Sequence, residues 1–159
     1  MFRVSQKTEY ALRAMVELAL REGQGSIPAR EIADAQGIPL RFLEQQLSTL
    51  HKAGLVESFR GAGGGCRLAR AAPEIPVADV VDAMEGNLYP MYCLDEHDHT
   101  CFQDGRCGLQ DLWSDVDLAV RGVFERTTIA DLAVRHRRRA PESPLWSPED
   151  LLRHSGHPS

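Results

Sequence analysis

The chain of 159 residues is 43% hydrophobic and 26% charged, which describes one globular domain with an appendage, able to bury a core without disulfides. No run of about 18 apolar residues occurs, and the first residues lack the apolar core and cleavage site of a secretion signal, so a membrane span is excluded and a cytoplasmic protein is expected. The net charge of −5 is unevenly spread: residues 1–71 carry ten Lys/Arg against seven Asp/Glu, residues 72–159 eight against sixteen. A basic front half joined to an acidic back half leaves nucleic-acid binding open, because affinity follows the local basic face.

Ser5 is placed to cap a first helix running from Gln6 to Arg21, with Leu12, Met15, Val16 and Ala19 on one apolar face. Glu22-Gly23-Gln24-Gly25 ends it. A short second helix is predicted from Ala29 to Gln36, with Ile32 and Ala33 inward and Gly37 as its C-terminal cap. Pro39 suits the first turn of a third helix, predicted from Leu40 to Ala53. Its inward positions are Leu43, Leu47 and Leu50, and its outward positions are Arg41, Glu44, Gln45 and Ser48. Leu55–Arg60 and Cys66–Ala69 read as strands around the turn Gly61–Gly65, a hairpin. A fourth helix spans Val77 to Glu85, with Val77, Val80, Val81 and Met84 apolar, and Gly86 stops it. Residues 87–107 are irregular. A long helix is expected from Leu109 to Arg126, in which Leu109, Val116 and Val123 repeat every seven and Leu112 with Ala119 makes a second row. That stripe is broad enough to bury against a partner subunit. A short helix from Thr128 to Val134 follows, and residues 135–159 read as a mobile tail.

Helix, short helix, glycine turn, helix and hairpin is the order of a winged helix-turn-helix. The third helix fits a major groove, with Arg41, Glu44, Gln45 and Ser48 able to reach base edges. Glu44 can accept from cytosine, and Arg41 can donate to guanine or phosphate. Arg60 and Arg67 flank the glycine tip, where a wing would touch backbone or minor groove. An ordinary solvated face is the competing reading of the helix alone. No Gly-Lys-Ser/Thr follows Gly61–Gly65, which argues against a nucleotide loop.

Cys93, Cys101 and Cys107 crowd into fifteen residues. In a cytoplasmic chain such a cluster points to metal or redox chemistry before disulfides. Thiolates suit soft metals and iron–sulfur clusters. A fourth ligand must be something other than cysteine: Asp95, Glu96, His97, Asp98 and His99 lie in the segment, and Glu9 could reach it from a partner subunit. Zinc on the three cysteines with His97 or His99, a thiol switch and inert thiols are alternatives. Cys66 reads as a small strand residue. His51, His136, His154 and His157 read as solvated.

Thr8-Glu9-Tyr10-Ala11-Leu12-Arg13, Phe42-Leu43-Glu44-Gln45, Leu50-His51-Lys52-Ala53-Gly54-Leu55-Val56, the stretch from Arg60 to Ala69, Asp79–Gly86, the three cysteines and Thr128–Leu132 together resemble the Rrf2 family of bacterial regulators (IscR, NsrR and RirA types) over about residues 1–134. The resemblance implies a mostly α fold: a winged helix-turn-helix with a two-stranded wing over residues 1–86, a cysteine-rich cluster-binding loop over 87–108, a dimerisation helix with its short successor over 109–134, and a flexible tail over 135–159. It implies a homodimeric DNA-binding regulator controlled by an iron–sulfur cluster of two or four irons. Cys93, Cys101 and Cys107 would be ligands, and Glu9 stands where the nitric-oxide branch has its acidic ligand. The histidine that one branch carries three residues after the last cysteine is Gln110 here, and the histidine another carries at the end of the second helix is Gln36. Glu9, water or a small thiol is left for the fourth position. The sensed signal implied is iron supply, cluster supply, nitric oxide or redox state. No Ser/His/Asp set or catalytic carboxylate pair supports an enzyme. A protein-binding adaptor would lack salt-sensitive DNA retention.

Overall fold

The computed structural model describes residues 4–86 and 106–139. Cys93, Cys101, the candidate ligands Asp95–His99 and the segment beyond residue 139 lie outside the described residues.

Helix α1 (Gln6–Leu20) is the centre of the fold. Ser5 caps it, its hydroxyl accepting from the Thr8 amide at 3.4 Å. Thr8, Ala11, Ala14, Met15, Val16, Glu17, Leu18 and Ala19 are all buried, a wider surface than the single face expected, and Leu12 is only partly covered. The cause is position: α2 (Ala29–Gln36), α3 (Leu40–Lys52), α4 (Val77–Glu85) and α6 (Ile129–Arg139) all pack on α1. Small side chains such as Ala11 and Ala14 allow the close approach that so many neighbours require.

The helix-turn-helix is set by punctuation. Gly37 takes the left-handed conformation (φ 59°) that ends α2, where a Cβ would be strained. Pro39 then stands at the N-cap of α3, and its carbonyl accepts from Phe42 at 2.9 Å. Ile32, Leu43 and Leu50 are fully buried and hold α2 and α3 on α1.

The wing is the antiparallel pair β1 (Val56–Phe59) and β2 (Gly65–Leu68), with Val56 opposite Leu68 and Phe59 opposite Gly65. β1 is shorter than the expected Leu55–Arg60, and β2 is shifted one residue toward the N-terminus from Cys66–Ala69, so that Gly65, expected in the turn, opens it. Ile27 adds a bridge on the far side of β2, exchanging two 2.8 Å backbone hydrogen bonds with Cys66. The hairpin is thereby fastened to the chain just before α2.

A 3-10 turn (Ala72–Glu74) leads into α4, whose Val77, Val80, Val81 and Met84 are buried as expected. Helix α5 (Gly108–Arg126) leans on α4 and has no buried residue. Leu109, Leu112, Val116, Leu118 and Val123 stand exposed along it. The last helix departs from expectation. It runs to Arg139, through residues read as the start of a tail. Arginine is a good helix former, and Arg137, Arg138 and Arg139 complement the negative end of the helix dipole. At its start, Thr128 and Asp131 exchange capping hydrogen bonds (2.9 and 3.1 Å). Ile129 and Ala133 enter the same core as α1.

Candidate nucleic-acid interface and metal centre

Helix α3 is divided by its own periodicity. Leu43, Leu47 and Leu50 are buried, while Arg41, Glu44, Gln45 and Ser48 are exposed. Gln46 is also buried, and its amide donates to the Phe42 carbonyl at 3.0 Å. The Arg41 guanidinium lies 5.0 Å from the centre of the Phe42 ring, a cation–π contact that steadies a long side chain. All four predicted base-reading side chains therefore lie on one open surface. Hydrogen-bonding groups presented from the N-terminal half of such a helix match the donor and acceptor pattern of a major groove.

The two wing arginines differ. Arg60 is exposed. Arg67 is engaged: its Nε donates to Glu57 at 2.7 Å across the hairpin, and its guanidinium lies 4.8 Å over Phe59. The pairing leaves Arg67 less free than expected, since Glu57 cancels part of its charge. Ser26 donates to the Gly63 carbonyl at 2.7 Å and anchors the tip.

Of the expected metal ligands, Cys107 and Glu9 lie in the described residues. Cys107 is a partly exposed free thiol and the N-cap of α5. Its carbonyl accepts from Gln110 at 3.0 Å. Sulfur ligands suit soft metals and iron–sulfur clusters, and Cys107 is open enough to reach one. Glu9 is an exposed carboxylate in the first turn of α1, 3.5 Å from Arg13. Both donors are accessible, and a thiolate with a carboxylate fits an iron-containing group. Among the described residues no three His, Cys, Asp or Glu side chains converge into a metal site. Cys66 is a strand residue, as expected. Burial pushes its thiol up, against the lowering effect of the Ser58 hydroxyl 3.7 Å away. Gln36 is likewise committed, donating to the buried Glu17 carboxylate at 2.8 Å.

Three residues for which no individual role was expected matter here. Arg13 bridges Glu9 and the carbonyl of Gln36, the last residue of α2. Its spacing of four from Glu9 was the available signal. Glu17, buried in α1, accepts from Gln36 and pairs with Arg21 at 2.7 Å. Glu85, the last residue of α4, accepts from the Ser5 amide at 3.1 Å and from the Ser5 and Thr8 hydroxyls, with Lys7 at 3.7 Å. Burial alone would raise its carboxyl, but those hydrogen bonds and Lys7 hold it below the usual range. Glu85 thus ties the end of α4, where residues 87–105 begin, to the turn of α1 that carries Glu9.

Comparison with known proteins places this architecture. A family model described as Rrf2, iron-dependent transcriptional regulator, matches residues 4–135. The HTH-type transcriptional regulator IscR of Photobacterium profundum is 38% identical over 130 residues, spanning 82% of this chain and 74% of the relative. Its counterpart in Serratia proteamaculans is 37% identical over 82% of this chain and 78% of the relative. Among solved structures, CymR, the global cysteine regulator of B. subtilis, superposes with a TM-score of 0.72 at 33% identity, covering 85% of this chain and 98% of that one. T. potens IscR gives a TM-score of 0.69 at 32% identity, covering 89% and 94%.

Proposed function

The chain belongs to the Rrf2 family of iron-dependent transcriptional regulators, and we propose that it is a homodimeric repressor whose hold on promoter DNA is set by an iron–sulfur cluster. The observation that carries the DNA-binding part is the division of α3. Its leucines are spent on the core, and Arg41, Glu44, Gln45 and Ser48 are left outward together. In this reading α3 lies in the major groove, Arg41 and Glu44 read base edges, and Gln45 and Ser48 complete the face. Arg60 and Arg67 meet the flanking backbone. Two copies on adjacent half-sites would stand about 34–36 Å apart, and the exposed apolar row of α5 supplies the surface to join them. No described helix is long and apolar enough to cross a membrane, and a regulator working at promoters belongs in the bacterial cytoplasm.

Cys93, Cys101 and Cys107 would hold the cluster, with Glu9 of the opposite subunit as the fourth ligand. When bound, the cluster supplies a centre sensitive to iron supply, oxidants and nitric oxide. The protein side of the coupling is drawn from Arg13. It engages Glu9 and the Gln36 carbonyl together, and Gln36 immediately precedes the Gly37 turn into α3. A change in what Glu9 binds alters the partner of Arg13, and Arg13 is fastened to the turn that aims α3. Glu85 gives a second tie, from the start of the cysteine segment to the N-terminus of α1. Coupling of this kind is worth about 1–3 kcal/mol, or about 5–150-fold in affinity.

Anaerobic purification with iron, sulfide and zinc analysis tests the cofactor. A brown protein containing iron and sulfide, lost in Cys107→Ser, is expected. A colourless protein holding zinc alone would replace the cluster with a zinc or thiol-switch regulator.

A further inference from the structure

We propose that Phe42 is a specificity-determining residue that packs on the C5-methyl group of a pyrimidine in the major groove, ordinarily thymine. The inference rests on the reading of α3 as the groove-binding helix and names a contact its polar face cannot make. Phe42 is 41% exposed, whereas Leu43, Leu47 and Leu50 of the same helix are 0%, 4% and 0% exposed. A large apolar ring is therefore left in water beside Arg41, Glu44 and Gln45. It sits in the first turn of α3, the end from which recognition helices reach base edges. It is also partly ordered before any ligand arrives: Arg41 covers the ring at 5.0 Å, and Gln46 holds the Phe42 carbonyl at 3.0 Å.

Hydrogen-bonding side chains read the amino, carbonyl and ring-nitrogen edges of base pairs. The thymine methyl is the one major-groove feature they cannot read, and apolar side chains, phenylalanine among them, do so. Phe59 provides an internal comparison. It is 43% exposed and covered by Arg67 at 4.8 Å, but it lies on the wing and not on α3. An arginine over a ring is thus common to both sites, and only the Phe42 ring stands among base-reading groups.

The test begins with an operator selected from random duplex DNA by the full chain. Each thymine of a half-site is then replaced by deoxyuridine, which removes only the methyl group, and affinity is measured at fixed salt. For the unaltered protein, one thymine per half-site is expected at which deoxyuridine weakens binding about three- to fivefold, the effect of burying one carbon. Phe42→Ala should bind thymine and deoxyuridine operators equally, and Phe59→Ala should keep the preference. Cytosine and 5-methylcytosine at the same position separate the two sources. A gain from methylation extends the contact to both pyrimidines, and no gain confines it to thymine.

If no thymine position responds in the unaltered protein, the proposal is overturned without recourse to any variant. A response that survives in both Phe42→Ala and the milder Phe42→Leu overturns it as well. Failure to select any duplex at all is a different result, because it removes the groove-binding reading and this contact with it.

Discussion

The side-chain amide of Gln36 donates to the Glu17 carboxylate across 2.8 Å, with both residues buried, and so joins the C-terminal turn of α2 to the last turn of α1. Arg21 closes the arrangement, reaching Glu17 at 2.7 Å and Glu31 at 2.8 Å. Burial lowers the Arg21 pKa, but the two carboxylates outweigh it and the guanidinium ends above its ordinary value. Glu17→Ala leaves Gln36 without its acceptor and Arg21 without its nearer partner. A loss of about 2–4 kcal/mol in unfolding free energy is expected, measured by urea denaturation. A loss under about 0.5 kcal/mol would mean the network adds nothing beyond ordinary surface pairing.

Glu85 gives the fold a defined sensitivity to acid. Its carboxyl is held below the usual Glu value, so the folded state binds its proton less readily than the unfolded state. The stabilisation is complete above the unfolded value, about pH 4.3, and is lost as pH falls through the lower folded value. Glu85→Gln should therefore be less stable than the parent at neutral pH, with the gap closing on acidification below about pH 4.3. Paired denaturation curves at several pH values measure this, and a gap independent of pH would show that the carboxylate charge is not what binds the α1 terminus.

Gly65 fixes how the wing is mounted. A Cβ placed there would come within 2.4 Å of the Ile27 carbonyl oxygen and 2.8 Å of the Pro28 nitrogen, backbone atoms that cannot swing aside. Gly65→Ala should cost about 1–3 kcal/mol and weaken DNA retention, because the Ile27–Cys66 bridge must open. Amide exchange at Ile27 and Cys66 is the direct readout, and unchanged protection of both would contradict the account.

Much of the fold was legible from punctuation. Gly37 and Pro39 bracket the turn between α2 and α3, and the bounds of α2 and α4 agree with expectation because glycine and proline flank them. Charged residues were the weak point. Glu17 and Glu85 look like surface residues in a linear reading, but Glu17 is buried and Glu85 partly buried, against partners 19 and 80 residues away. The arginine-rich end of α6 read as tail for a similar reason: its charge pattern resembles a disordered basic run, whereas Ile129 and Ala133 pin the helix to the core. The outward placement of Arg41, Glu44, Gln45 and Ser48 was legible because the inward leucines fix the phase of the helix. The contacts of Arg13 and the exposure of Phe42 were not, since one depends on the end of α2 being close to α1 and the other on how little of its side chain the fold covers.

A dimer joined through the exposed row on α5 is a further expected outcome. Leu109, Leu112, Val116 and Val123 fall on one face of the helix and are 59%, 52%, 36% and 44% exposed, and an aligned apolar row of that kind marks an interaction surface. The chain is expected to sediment as a dimer, and Leu112→Glu with Val116→Glu should convert it to a monomer with its helical content retained, because α5 contributes no buried residue within the chain. A parent protein that is monomeric at micromolar concentration would exclude α5 as the dimer contact.

The central claim is that thiol ligation sets promoter affinity, and anaerobic fluorescence anisotropy on the selected operator tests it most directly. The same preparation is measured with its cluster in place and after chelation has removed the iron. A change in Kd of about 5–150-fold, abolished in Cys107→Ser and reduced in Arg13→Ala, is the predicted result. Equal affinity in the two states would contradict the account and leave a DNA-binding regulator whose cysteines do not control it.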